Sequence, residues 1–291
     1  GRTFSKMWRF SDINYEVASN AEQEEMFLAH SAILNGLPTD AVAKISIFNR
    51  QLQNHSIEKM TVPTSNENYR EYAKELEELL NDKMAESNNI VHEKYITISA
   101  EKKNIKEART YFARVGSDLA ADFAKISSQI TELGYKERLR LFYEFFKSGG
   151  SEDFNFDLKR AMARGAHFKD YISPDSIEFK KDYVQFGDKY ARVLFLKEYP
   201  SFLKDELLSQ LTDFSRSMMV SVDVQPIPTD EAVKEIQKKL LAIETDITKW
   251  QQKQNMNNNF SATVPYEMEQ MRSEIKEFMD DLTARDQRMM F

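Results

Sequence analysis

The sequence predicts an α+β protein: small mixed or antiparallel sheets covered by long helices, with a helical hairpin near the C-terminus. Three observations predict it. Apolar residues alternate with polar ones over short runs, as in Ala43, Ile45 and Ile47 against Lys44 and Ser46, the pattern of a half-buried strand. Elsewhere they recur at steps of three and four, as in Ala108, Phe112, Val115 and Leu119, the pattern of an amphipathic helix. Two long helical patterns close the chain, parted by an Asn-rich loop, and helices so joined fold back antiparallel.

Taken in order, a polar, extended start from Trp8 leads into a helix over Ala21 to Leu34. Ala41 to Phe48 reads as a strand, followed by a loop containing Pro63. Thr64 and Glu67 stand at capping-box spacing and open a helix whose apolar face is Tyr69, Tyr72, Leu76 and Leu79. After Asn88-Asn89, Ile96 and Ile98 alternate with Tyr95, Thr97 and Ser99 in a second strand. The strongest helical pattern runs from Asn104 to Leu133. Its stripe starts at Ile105 and continues through Phe123, Ile126, Ile130 and Leu133, and Gly134 is placed to end it in the left-handed conformation. A shorter helix, Lys136 to Phe146, ends at Gly149-Gly150.

Gly149 to Gly165 marks a boundary. Residues 1–150 are expected to form a first α+β subdomain and 151–291 a second that ends in the helical hairpin, or the two together one composite domain. Ser176–Gln185 and Tyr190–Lys197 flank Phe186-Gly187-Asp188-Lys189 and predict a β-hairpin. Pro200 introduces a helix through Phe214. Met218 to Val224 is a further strand, with Val220, Val222 and Val224 facing inward. The first closing helix carries Val233, Ile236, Leu240, Ile243, Ile247 and Trp250 on one face, the second carries Met268, Met271, Ile275, Phe278 and Leu282, and Asn255 to Ala262 is the loop between them.

Composition narrows the function classes. A net charge of −7, from 47 acids against 40 bases, weighs against a module that grips phosphates through clustered Lys and Arg. The chain has no cysteine, which excludes disulfides, Cys-ligated zinc and thiol catalysis and fits a reducing compartment. No run of about 18 apolar residues predicts a membrane span. Phosphate-cradling loops need glycines for close backbone approach, and the eight here fall well below the usual share of about 7%.

Motif by motif, the expectation is no catalytic, cofactor-binding or metal-binding residue. Gly149-Gly150-Ser151 is followed by Glu152 and Asp153, which repel a phosphate, and no G-x-x-x-x-G-K-[ST] run occurs. Asp153, Asn155 and Asp157 have the spacing that opens a calcium loop, but Leu158 stands where glycine is needed and Arg164 where the bidentate glutamate belongs. His30, His55, His92 and His167 lie in different elements, none with a helical partner at metal-ligand spacing. There is no G-x-S-x-G elbow. The basic spots at Lys102-Lys103 and Lys136 to Arg140 are interleaved with glutamate, as on a solvated helix face. Methionines cluster late and suit both core filling and adaptable partner surfaces. Trp250, Met268, Met271 and Phe278, on a hairpin long enough to reach outward, are the candidate partner-docking residues.

Arg9-Phe10-Ser11-Asp12-Ile13-Asn14-Tyr15 resembles the opening of conjugal transfer ATPases of type IV secretion systems, the CagE/TrbE group, in the form found in conjugative elements of Gram-positive bacteria. Lys94-Tyr95-Ile96-Thr97-Ile98 followed by Ala108-Arg109, Lys136-Glu137-Arg138-Leu139, and Lys169-Asp170-Tyr171-Ile172-Ser173-Pro174 are similar to the same group. So are Phe186-Gly187-Asp188-Lys189-Tyr190, Val220-Ser221-Val222 and the ending from Arg285 to Phe291. Each motif is short and mostly structural; their shared order along nearly the whole chain carries the resemblance.

The resemblance implies an N-terminal α+β region that precedes a RecA-like motor domain. ATP and magnesium would belong to that later domain, a strand would follow Phe291, and no catalytic residue carries over. The implied partners are membrane and channel proteins of the secretion system, the chain's own motor domain and further copies of itself. The implied location is cytoplasmic, peripheral at the inner face of the membrane through those partners. The competing class is a nucleic-acid-binding module that guides the transferred DNA, favoured by the basic spots around Lys102 and Lys136 and opposed by the net charge. A third class, a hydrolase with an unrecognised site, would have to show turnover by this chain alone.

Overall fold

The computed structural model describes residues 2–15, 17–51, 69–86, 90–147, 154–187, 189–198, 210–212, 217–284 and 287–290. Its strands are β1 (Arg2–Phe10), β2 (Ala41–Gln51), β3 (Ile90–Lys102), β4 (Ile130–Glu132), β5 (Ile177–Phe179), β6 (Val184–Phe186), β7 (Lys189–Ala191) and β8 (Met218–Val224). Its helices are α1 (Asn20–Asn35), α2 (Arg70–Glu86), α3 (Ile105–Lys125), α4 (Tyr135–Phe146), α5 (Leu158–Ala163), α6 (Phe168–Ile172), α7 (Thr229–Met256) and α8 (Tyr266–Ala284).

The alternating runs come together as a five-stranded sheet in the order β4-β1-β3-β2-β8, antiparallel throughout. A single row crosses it from Trp8 through Ile96 and Ile45 to Val222. Because side chains alternate across the pleat, this row shares a face with Phe4, Phe10, Ile98, Ala100, Ala41 and Ala43. That face packs beneath α1 and α3, and Phe112, Val115, Leu119 and Phe123 of α3 close the main core with Ile33 of α1. Gly116 brings α3 close to the sheet: a Cβ there would sit 3.4 Å from Trp8 Cζ2.

The opposite face buries Met7 and Tyr95. Phe48 stands edge-on to Tyr95 and to Phe145 of α4, with ring centroids 5.5 and 6.4 Å apart. Arg138 of α4 donates to the Ser5 carbonyl at 3.0 Å and to Ser5 Oγ at 3.1 Å. Other side chains of α4 hold the next stretch of chain: Tyr143 meets Phe154 at 5.1 Å, Tyr135 meets Phe156 at 6.3 Å, and Phe146 meets Phe186 of the small β5-β6-β7 sheet at 5.6 Å. One helix thus joins the sheet to the second unit. The fold is α+β, with both sheets antiparallel.

Several elements differ from expectation. The pattern over Asn104 to Leu133 is not one helix. α3 stops at Lys125, Ser127 turns left-handed (φ 57°), and the Ser128 amide donates back to the Phe123 carbonyl at 3.0 Å. Ser128 Oγ then bonds the Ser11 carbonyl at 2.7 Å, and Ile130 pairs with Phe10 in β4. Gly134 does not end a helix; it is the N-cap of α4, its amide held by Glu137 at 2.6 Å. Ile105 lies outside the buried stripe, 60% exposed.

The predicted hairpin over Ser176 to Lys197 is instead three short strands. Its first arm folds back on itself, where the Lys180 amide donates to the Tyr183 carbonyl, and its second pairs only as far as Ala191. Gly187 takes a positive φ of 59° at the expected turn, where glycine has no Cβ to clash. The apolar face assigned to α2 points to solvent, with Tyr69, Tyr72, Leu76 and Leu79 all exposed and Ala73 buried instead. The expected start of that helix at Thr64, the Gly149-Gly150 stop and most of the helix from Pro200 to Phe214 lie outside the described residues.

Candidate docking surfaces

The C-terminal hairpin is fixed at its root. Pro226 is fully buried, the Ile227 amide donates to the Met289 carbonyl at 2.9 Å, and Pro226 bridges Met290. Arg288 ties this root to the main core, its guanidinium donating to the Leu37 carbonyl at 2.7 Å and its amide to Asn35 Oδ1 at 3.3 Å. Above it, Ala232 and Ile236 of α7 and Leu282 of α8 form a second core with Ile227, Ile275, Met279 and Met289. Asp230 and Glu231 in the first turn of α7 complement the helix dipole. At its end Asn258 turns left-handed (φ 55°), a conformation asparagine tolerates, and the Asn259 amide closes on the Gln254 carbonyl.

With 28 residues α7 is about 42 Å long. Among the described residues, its only broad packing partner is α8. Of the four docking candidates, Met271 and Phe278 are exposed, at 53% and 40%, while Trp250 and Met268 are half-buried. The tip of the hairpin is more open still: Met256, Phe260 and Tyr266 are each at least 76% exposed. Their signal in the sequence was large apolar residues at and beside an Asn-rich loop. Two further apolar surfaces were not anticipated. One is the outward face of α2; the other is Val193-Leu194-Phe195, between 81% and 84% exposed just beyond β7.

Titratable groups cluster in one place. Asp40 accepts from Lys102 Nζ at 2.5 Å and from the Tyr111 hydroxyl at 2.7 Å, and the Lys102 ammonium lies 3.6 Å from the centre of the Tyr111 ring. Burial pushes the Asp40 carboxyl up, but the two hydrogen bonds and the ammonium charge outweigh it and hold the carboxyl below its usual range. Burial and the same carboxylate push the Tyr111 phenol well above its ordinary value. This arrangement pairs Lys102 of one basic spot and stitches β3 and α3 to the residues ahead of β2. Beside it, Asn104, Lys106, Glu107, Thr110, Tyr111 and Arg114 line an open recess of mixed charge.

Among the described residues no group of three His, Asp or Glu side chains is placed to hold a metal ion. His92 Nδ1 bonds Asn49 Oδ1 at 2.8 Å, His167 caps α6, His30 is exposed on α1, and His55 lies outside the described residues. Asp157 accepts from the Lys159 and Arg160 amides as the N-cap of α5. No described helix is long and apolar enough to cross a membrane.

The fold and its surfaces thus define an α+β protein whose open apolar groups lie on helix faces, at the tip of the hairpin and just beyond β7. No family model matches the chain, and no curated protein matches it.

Proposed function

We propose that this chain is a non-catalytic docking and assembly domain of a conjugative type IV secretion ATPase, anchoring the motor to membrane and channel proteins during DNA transfer. The observation that carries the reading is the hairpin, rooted in a buried core and presenting Met271, Phe278 and an apolar tip to solvent. Partly exposed apolar side chains on a firm support gain about 25 cal/mol for each Å² removed from water, and adaptable Met side chains fit varied partners. The order of short motifs that resembles the CagE/TrbE group is what directs the reading to that secretion system. The reading assigns ATP and magnesium to a motor domain and none to this chain.

The test is co-purification of the chain with the small membrane proteins encoded beside its parent ATPase. Retention at physiological salt is expected, and the pair Met271→Ser and Phe278→Ser should lower it severalfold. Failure of every such protein to bind, or normal transfer by a parent ATPase deleted of residues 1–291, would sink the proposal. Filter binding to DNA at two salt concentrations tests the competing class, because phosphate contacts make affinity fall steeply with salt.

A further inference from the structure

The turn between α7 and α8 differs in composition from the rest of the chain. Charged residues make up 30% of the sequence, yet residues 254–266 contain no Asp, Glu, Lys, Arg or His. The nearest charges in sequence are one of each sign, Lys253 before the run and Glu267 after it. Within the run Met256, Phe260 and Tyr266 are 84%, 76% and 79% exposed, with Asn, Ser and Thr between them.

The turn is internally braced. The Asn259 amide donates to the Gln254 carbonyl at 3.0 Å, Asn259 Nδ2 to Gln254 Oε1 at 3.3 Å, and the Ala262 amide to the Asn259 carbonyl at 3.4 Å. Its apolar groups are thus presented with little left to order on binding. α7 sets the turn about 42 Å from the root. The hairpin leaves the sheet at the end where Val224 pairs with Ala43, whereas residues 52–68, 87–89 and 213–216 adjoin Gln51, Ile90 and Met218 at the opposite end. The turn lies inside the chain, between two described helices, so its composition and form do not depend on where the sequence begins or ends.

Two properties select the occupant. Ionised side chains are the costliest groups to bring into lipid, and the run has none. Its large side chains are those that favour the membrane boundary: Phe and Met suit the acyl chains, and Tyr joins an apolar ring to a hydroxyl that stays among the headgroups. Asn and Ser remain hydrated at that level. Single apolar side chains at the end of a hairpin offer a helix or strand no groove to lie in, and a bilayer needs none. No described helix is long and apolar enough to cross a membrane, so entry stops at the interface.

We propose that the α7–α8 turn inserts Met256, Phe260 and Tyr266 into the interfacial layer of a lipid bilayer with neutral headgroups. Insertion is shallow, on the order of 5–10 Å. With an uncharged turn on a chain of net charge −7, attraction to anionic lipid plays no part and salt leaves the binding unchanged. The inference does not depend on the secretion reading: vesicles can bind when no secretion protein does, and the reverse.

The test is flotation of the full chain with phosphatidylcholine vesicles, repeated at high salt and with phosphatidylserine mixed in. The chain should float with neutral vesicles equally well at low and high salt, and phosphatidylserine should not improve it. Phe260→Ser should weaken partition about tenfold, the loss of one buried ring, and Phe260→Asp should abolish it. The residue is largely exposed, so both variants should fold, which circular dichroism checks. In Phe260→Trp the added emission should shift to the blue on vesicles and be quenched by lipids brominated high in the acyl chain, above the background of Trp8 and Trp250 in the wild type. A wild-type chain that floats with no vesicle, a Phe260→Asp chain that floats normally, or a Phe260→Trp chain with no shift would each overturn the proposal. So would flotation only with anionic vesicles and only at low salt, which would assign the contact to the basic spots. A blue shift that needs a partner protein in place of lipid would give the turn to a protein pocket and overturn it as well.

Discussion

Gly116 and Trp8 show how a single atom sets the distance between layers. The space at Gly116 admits one methyl in ordinary contact with the indole and nothing larger. Gly116→Ala should therefore raise stability by about 1 kcal/mol, the usual gain of alanine over glycine inside a helix, while Gly116→Leu should lower it; urea unfolding reads both. The Asp40–Lys102–Tyr111 cluster predicts two pH limbs. Asp40 has a folded-state pKa below its unfolded value, so its contribution is present above about pH 4 and is lost as pH falls through the folded value. Tyr111 has a raised one, so its contribution is present below about pH 10 and is lost as pH rises through the folded value. Asp40→Asn should flatten the acid limb of a stability–pH curve and Tyr111→Phe the alkaline limb. Each should cost no more than about 1 kcal/mol at neutral pH, because Asp40 is substantially solvated.

At the scale of elements, the hairpin separates residues that hold from residues that present. Ile236→Ala or Leu282→Ala should cost about 2–5 kcal/mol, because both sit in the small root core. Met271→Ser and Phe278→Ser should each cost no more than about 1 kcal/mol, because their side chains are only partly buried and lie outside the root core; thermal unfolding of the four variants distinguishes the groups. The same elements show what the sequence could reveal. β2, β3, β8 and the body of α3 were legible because each carries its own period. The end of α3 was not, because Ile126, Ile130 and Leu133 continue the helical spacing by coincidence after Ser127 has turned the chain away. The stripe on α2 was legible as a helix but not as a surface, since periodicity names an apolar face without saying what covers it. Trp250, Met268, Met271 and Phe278 were correctly placed on the hairpin, yet only the packing at its root separates buried from half-buried from open. The exposed run at 193–195 was read as a paired arm because alternation does not reveal where a ladder stops.

Across the whole molecule, Arg288 links the main core to the root of the hairpin. Its guanidinium reaches a carbonyl beside α1 from a chain end that also closes the hairpin root. Arg288→Ala should cost about 1.5–3 kcal/mol, the range for hydrogen bonds made by charged groups. Hydrogen exchange should show the hairpin root opening without the main sheet, whereas the wild type should open both together. The sheet itself crosses the predicted boundary at residue 150, because β8 from the later half completes a sheet begun by β1, β2 and β3.

That late strand has a consequence for synthesis on the ribosome. Ser46 and Ser221 stand side by side in the finished sheet but are 175 positions apart in the chain. At about 5–20 residues per second, the flank of β2 that β8 will cover emerges roughly 10–35 s before its partner exists. During that interval Ala43, Ile45 and Ile47 are offered to whatever nascent chain or chaperone is nearby. A synonymous recoding that slows translation between residues 51 and 218 would lengthen the interval, and the yield of soluble protein should fall with it.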